Sequence, residues 1–218
     1  MKVTRISSSK WSKALISLFL FSTLILCADP AAALIDLRAG YTMLNASPSA
    51  LNTSLGTLPH LSKMQGLNAD LIVSLPLMPV GLGLRGEFLA DKQSNTVGDY
   101  TATMTRVSLL VNSRIIDTLM FFGPIASIGL TNEFKMDTAV TGGSSQSYKS
   151  TGGFNGSIGL EGGAKLIGLE LGGELGYLYA PFKDFKDAAG ATLNDSSGTA
   201  VAGDMSGVYF RVMVGFGF

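Results

Sequence analysis

One cysteine and one histidine among 218 residues leave too few ligands for the common zinc sites, which take about four. Net charge is also lacking. Sixteen basic and sixteen acidic residues cancel, so nothing points to nucleic acid as a partner. Charged residues make up only 15 % of the chain, whereas 46 % is hydrophobic and the mean hydropathy is +0.34. Such a surplus is unusual for a soluble enzyme, yet only one apolar run approaches the roughly 20 residues of a membrane-spanning helix. Nucleotide binding has no support either. The pairs Gly152-Gly153 and Gly162-Gly163 lack the lysine and following helix of a phosphate loop, and no cofactor is expected.

The single apolar run reads as an export address. Lys2, Arg5, Lys10 and Lys13 precede an uncharged stretch from Ala14 to Ala28, and Ala31-Ala32-Ala33 follows. A positive start, a short apolar run and a small-residue exit describe a secretory signal peptide over residues 1–33, cleaved after Ala33. Cys27 closes the apolar run, but Leu26 stands where a lipoprotein signal has a small residue. Cleavage would leave one domain, residues 34–218, with 12 basic and 15 acidic residues and a net charge of −3.

Beyond that segment the hydrophobic pattern has a period of two, not 3.6. Val208, Phe210, Val212, Val214, Phe216 and Phe218 alternate with Tyr209, Arg211, Met213, Gly215 and Gly217. Similar stretches start near Ile35, Leu67, Val80, Val107, Met120, Phe154 and Ile167, which predicts eight strands. The apolar faces carry no charge. The opposite faces hold Asp36, Arg38, Asp70, Arg85, Glu87, Arg106, Glu161, Glu170, Glu174 and Arg211 among many glycines.

Three arguments put the charged face inside. Charges of both signs converging on a narrow lumen can pair. An Arg or Lys facing lipid at mid-depth costs about 2–4 kcal/mol, which accounts for its absence from the apolar faces. Connections also alternate in length: Asn45–Gly66, Asp91–Asp99, Lys135–Gly152 and Pro181–Met205 are long, whereas Pro76–Pro79, Asn112–Thr118 and Lys165-Leu166 are short. Long external loops and short periplasmic turns are the habit of outer-membrane barrels. The expectation is an all-β, eight-stranded, antiparallel up-and-down transmembrane barrel with both termini in the periplasm.

The segments Ser108-Leu109-Leu110-Val111-Asn112 and Phe122-Gly123-Pro124-Ile125-Ala126-Ser127-Ile128-Gly129-Leu130, with the closing strand Val208–Phe218, resemble small outer-membrane barrels of the OmpX and opacity-protein type. Ile115-Ile116, where such proteins often carry aromatics, and Pro124 within a strand depart from that pattern. The resemblance implies a location in a Gram-negative outer membrane, with outer-membrane lipid and lipopolysaccharide as surroundings. It also implies that Phe216 and the terminal Phe218 are read by the barrel-assembly machinery. No catalytic or metal-binding residue follows from it.

Two other functions compete with a non-enzymatic envelope or surface role. His60 and Ser62 have the H-x-S spacing of a lipid A-modifying hydrolase, but they lie early in the chain with no acidic neighbour. Glu170 and Glu174 share a face, yet Arg85, Arg106 and Arg211 are available to pair with them. A soluble, lipocalin-like periplasmic carrier would place the apolar face inside. The first long loop contains Leu51, Leu55, Leu58 and Leu61 at helical spacing, suited to a short amphipathic helix on the membrane or over the barrel mouth.

Overall fold

The computed structural model describes residues 35–74, 79–195 and 197–217. The expected signal peptide, Cys27, Leu75, most of the Pro76–Pro79 link and Phe218 lie outside the described residues. Eight long strands follow in order: β1 (Ile35–Ala46), β2 (Lys63–Ser74), β3 (Val80–Ser94), β4 (Gly98–Ser113), β5 (Met120–Val140), β6 (Gly156–Leu166), β7 (Leu169–Tyr179) and β8 (Gly207–Gly217). Each pairs antiparallel with its chain neighbours. β8 returns to β1 in the register Leu37↔Phe216 to Ala46↔Gly207, which closes the sheet. Closure removes the exposed edges that an open sheet would present.

Alternation sorts the two faces as the sequence suggests. Along β8, Val208, Phe210, Val212, Val214 and Phe216 are exposed, while Tyr209, Arg211 and Met213 are buried. Phe121 and Ile125, which blur the pattern of β5, both point inward and are buried. Pro124 is tolerated for a local reason. It lies between the β4 ladder, which ends at Asn112↔Ile125, and the short bridge Ile116↔Phe122.

Three boundaries differ from expectation. The Asp91–Asp99 connection, expected to be long, shrinks to residues 95–97, because β3 runs on to Ser94 and β4 begins at Gly98. The tight turn after β6 is Ile167-Gly168, not Lys165-Leu166; both residues have positive φ, 40° and 79°, so Ile167 leaves the lipid-facing series. More of the long connections is strand than their composition suggests. β5 runs on to Val140, and Ser145–Thr151 returns beside it as a short strand. Within β5 a β-bulge opposite Val107/Ser108 leaves Leu130 and Thr131 both exposed. Beyond it the phase flips, so Asn132, Phe134, Met136 and Thr138 face inward.

Inward apolar side chains at this loop end meet folded loops. Helix α1 (Ser49–Leu55) buries Leu51 and Leu55, and Gly56 ends it at φ 63°, a conformation that favours glycine. Asn52 clamps the loop by donating to the Leu61 carbonyl and accepting from the Leu61 N–H, both at 2.9 Å. Between β7 and β8 the chain bends twice through carboxylates: Asp187 accepts from Ala189 and Ala191, Asp195 from Ser197 and Thr199. Phe182, Phe185, Val201 and Met205 from this segment join Leu51, Leu61, Leu89, Met104, Phe134 and Met136 in one buried cluster. Phe134 packs against Phe182 and Phe185 with ring centroids 5.5 and 5.7 Å apart.

Candidate functional site

Below the apolar cap the interior is ionic. All ten charged residues anticipated from the inward faces are buried, and they fall into two layers. In the central layer Arg85 holds Asp70 in a fork, Nε to Oδ1 at 2.8 Å and Nη2 to Oδ2 at 2.7 Å. The same guanidinium donates to both oxygens of Glu174, at 3.1 and 2.8 Å. Glu174 also accepts from the Tyr209 hydroxyl at 2.5 Å and lies 2.6 Å from Arg211 Nη1. Arg211 reaches Glu87 at 2.5 Å, and Glu87 accepts from Arg106 at 2.6 Å. Three guanidiniums therefore share three carboxylates, with Thr42, Ser127 and Asn155 taking remaining N–H groups.

The second layer lies toward the turn end. Arg38 donates to Glu161 at 2.7 Å and to Asp36 at 3.3 Å. Arg114 grips Glu170 bidentately at 2.8 and 2.7 Å, and Asn112 donates to Glu161 at 2.6 Å. Lys165 bridges to Asp117 at the rim. Charge-assisted, forked pairs such as these satisfy several donors at once, which a buried guanidinium requires.

Glycines make room for the large inward groups. A Cβ at Gly163 or Gly172 would lie 2.8 or 2.7 Å from the Phe121 ring, and one at Gly176 2.6 Å from the Tyr209 hydroxyl. The Arg114 guanidinium stacks 4.5 Å above Phe121. Among Thr42, Glu87, Arg106, Ser157, Tyr209 and Arg211, the remaining gap is too small for a water molecule.

Sequence reasoning missed Arg114 as a member of these layers; Asn155 and Tyr209 fall on the inward side of the alternation, beside Glu161 and Arg211, but without a charge they were not counted in the network. Arg114 was in reach, since it continues the inward series Arg106, Ser108, Leu110, Asn112 of β4 through the turn. Asn155 precedes β6 and accepts from Arg106 Nε at 2.7 Å, a contact across the lumen that alternation alone does not indicate. The enzymatic alternative fares differently. His60 and Ser62 are both exposed beyond α1, and Glu170 and Glu174 belong to different layers, each held by arginine.

Solved structures with the same architecture include three small membrane barrels. The attachment invasion locus protein Ail of Yersinia pestis, in complex with the heparin analogue sucrose octasulfate, superposes with a TM-score of 0.53 at 12 % identity, covering 84 % of this chain and 97 % of that one. Neisserial surface protein A (NspA) gives 0.50 at 12 % identity over 84 % and 97 %, and a major outer membrane protein of Thermus thermophilus gives 0.52 at 12 % over 84 % and 99 %. The fold is that of the small outer-membrane β-barrels. No protein-family model and no curated protein matches the sequence.

The outer surface agrees with this architecture. Around the barrel Leu67, Leu84, Phe88, Leu109, Ile158 and Leu175 are exposed, so the apolar face points away from the interior. Tyr41, Phe88, Phe154, Tyr177 and Tyr179 stand among them, with the Phe154 and Tyr179 rings 6.4 Å apart. A soluble carrier would need the reverse arrangement.

Proposed function

We propose that the chain is an integral outer-membrane barrel with a lumen closed by side chains and a non-enzymatic role, presenting its folded loop end to the cell's surroundings. The single observation that carries this reading is the inside-out distribution of polarity, with salt-bridged layers within and an uncharged apolar belt without. Eight strands enclose a space that side chains just fill, and the two ionic layers and the cap occupy it here. Export through the expected signal peptide and assembly through Phe216 and Phe218 complete the proposal. In its membrane the belt meets lipid, and the loop end stands among lipopolysaccharide.

A specific feature of the loop end favours surface interaction over a purely structural role. Lys135 stands directly opposite Lys149, and Lys149 opposite Lys186, in one cross-strand row. Like charges in that arrangement repel and weaken a sheet. Asp137, 2.6 Å from Lys135, and Glu133, 3.8 Å from Lys149, offset only part of the row. An anionic partner, such as a sulfated or phosphorylated sugar, would relieve the rest; the Ail structure with a heparin analogue makes sulfated sugar the first ligand to try. Titration of the reconstituted barrel with sucrose octasulfate tests this. Binding that weakens with salt and is lost in Lys149→Glu/Lys186→Glu supports the reading; no binding at low salt removes it.

A further inference from the structure

The turn end of the barrel is apolar where a water-facing turn is ordinarily polar. Ile115, Ile116 and Leu119 in the β4–β5 connection and Met120 at the start of β5, with Leu166 and Ile167 around the β6–β7 turn, are between 50 % and 98 % exposed. Ile167 is the extreme case. It is 98 % exposed and sits at φ 40°, a left-handed conformation that a β-branched residue disfavours and that two-residue hairpin turns usually give to Asn or Gly. Backbone preference and aqueous solvation both argue against isoleucine there, so neither accounts for it.

One exposed charge, Asp117, stands within the patch, and its ion pair holds it at the barrel rim. Lys165 is engaged with Asp117, and Arg114 is drawn inward onto Glu170. The patch is also continuous with the lipid-facing belt, through Met120 and Phe122 on β5 and through Leu169 and Leu171 on β7. Height places the turns as well. From Tyr177, an exposed belt aromatic, β7 runs ten positions back to Ile167. At about 3.3 Å per residue and a tilt of about 40°, that is about 25 Å, the height of the apolar band of such barrels.

We propose that these two turns are seated in the headgroup–acyl boundary of the lipid leaflet at this end, so that their partner is the bilayer rather than the aqueous compartment. The proposal rests on the membrane-barrel reading above. It is tested by site-specific fluorescence in the full barrel refolded into phosphatidylcholine–phosphatidylethanolamine vesicles. In a Cys27→Ser background, Ile167→Cys and Leu119→Cys are labelled with an environment-sensitive dye. Leu84→Cys reports the belt, and Ala189→Cys the loop end. Heat-modifiable gel mobility confirms that each labelled variant is folded.

The expected result is blue-shifted emission at positions 167 and 119, quenched by lipids with a nitroxide near the glycerol and unaffected by iodide on both sides of the vesicle. Red-shifted, iodide-quenched emission at both positions, with the Leu84→Cys label still quenched by lipid, overturns the proposal while leaving the membrane barrel intact. Absence of lipid quenching at Leu84→Cys overturns the membrane reading itself. Iodide quenching in vesicles that disappears in native outer membranes without lipid quenching assigns the patch to a protein partner, and also overturns it.

Discussion

Glu174 is the node of the central ionic layer, and replacing it by leucine is the most informative perturbation of the fold. Its carboxylate receives two bonds from Arg85, one from Tyr209 and an ion pair from Arg211, with no solvent exposure of the side chain. Glu174→Leu removes one of three carboxylates facing three guanidiniums and leaves a positive charge buried without compensation. Removing one partner of a buried pair costs about 3–5 kcal/mol. At a urea slope near 2 kcal/mol per M the unfolding midpoint then falls by about 1.5–2.5 M.

Urea titration of the refolded barrel, followed by its heat-modifiable gel mobility, reads this directly. The double variant Glu174→Leu/Arg211→Met restores neutrality, because Arg85 keeps Asp70 and Arg106 keeps Glu87. It should recover at least about 1 kcal/mol relative to the sum of the single changes, within the usual coupling of neighbouring sites. A Glu174→Leu shift below about 0.5 M, or strict additivity in the double variant, refutes the reasoning.

Other expectations follow from the cap, the lumen and the loops. Phe134→Ala removes the ring between Phe182 and Phe185, a loss of about 3–5 kcal/mol for a buried phenylalanine. Its cost should appear as faster proteolysis within residues 183–202, with the barrel's gel mobility unchanged. Gly163→Val would drive a side chain into the Leu171 carbonyl and the Phe121 ring, and should reduce the folded fraction on refolding. Planar bilayers containing the wild-type barrel should show no steady open-pore current. Asp195 is held below the usual carboxylate range, first by the Ser197 hydroxyl and then by the Thr199 N–H. A depressed carboxyl stabilises its turn above the unfolded value of about 3.9 and loses that contribution as pH falls through its folded value. An NMR titration of Asp195 should therefore show a midpoint below that of a free aspartate.

The barrel itself was legible because lipid-facing and lumen-facing positions alternate with so little noise. Val208 to Phe216 carry the belt and Arg211 the interior, and the same division holds for Asp36, Arg38, Asp70 and Arg85 on the first three strands. The bulge at Leu130 and Thr131 was not legible, since it depends on how β5 pairs with β4 and not on any local residue preference. Past it, Phe134 and Met136 fall on the phase that outward residues had occupied, so the outer third of β5 reads as loop. The cap was hidden for a related reason. Leu44, Leu89 and Met104 lie on inward positions that look polar further down the same strands, and the folded loops over them, through Leu51, Leu61, Phe182, Phe185 and Met205, explain why they are apolar. The leucine spacing of the first long loop announced its helix only in part: Leu51 and Leu55 lie on it over the mouth, whereas Leu58 and Leu61 follow after Gly56 has ended it.

The central claim is that apolar residues face lipid around a closed barrel. Fractionation of cells expressing the full chain, followed by gel mobility with and without boiling, tests it most directly. The account predicts that the protein is found in the outer-membrane fraction and runs faster unboiled than boiled. A soluble periplasmic protein whose mobility ignores heating would contradict it.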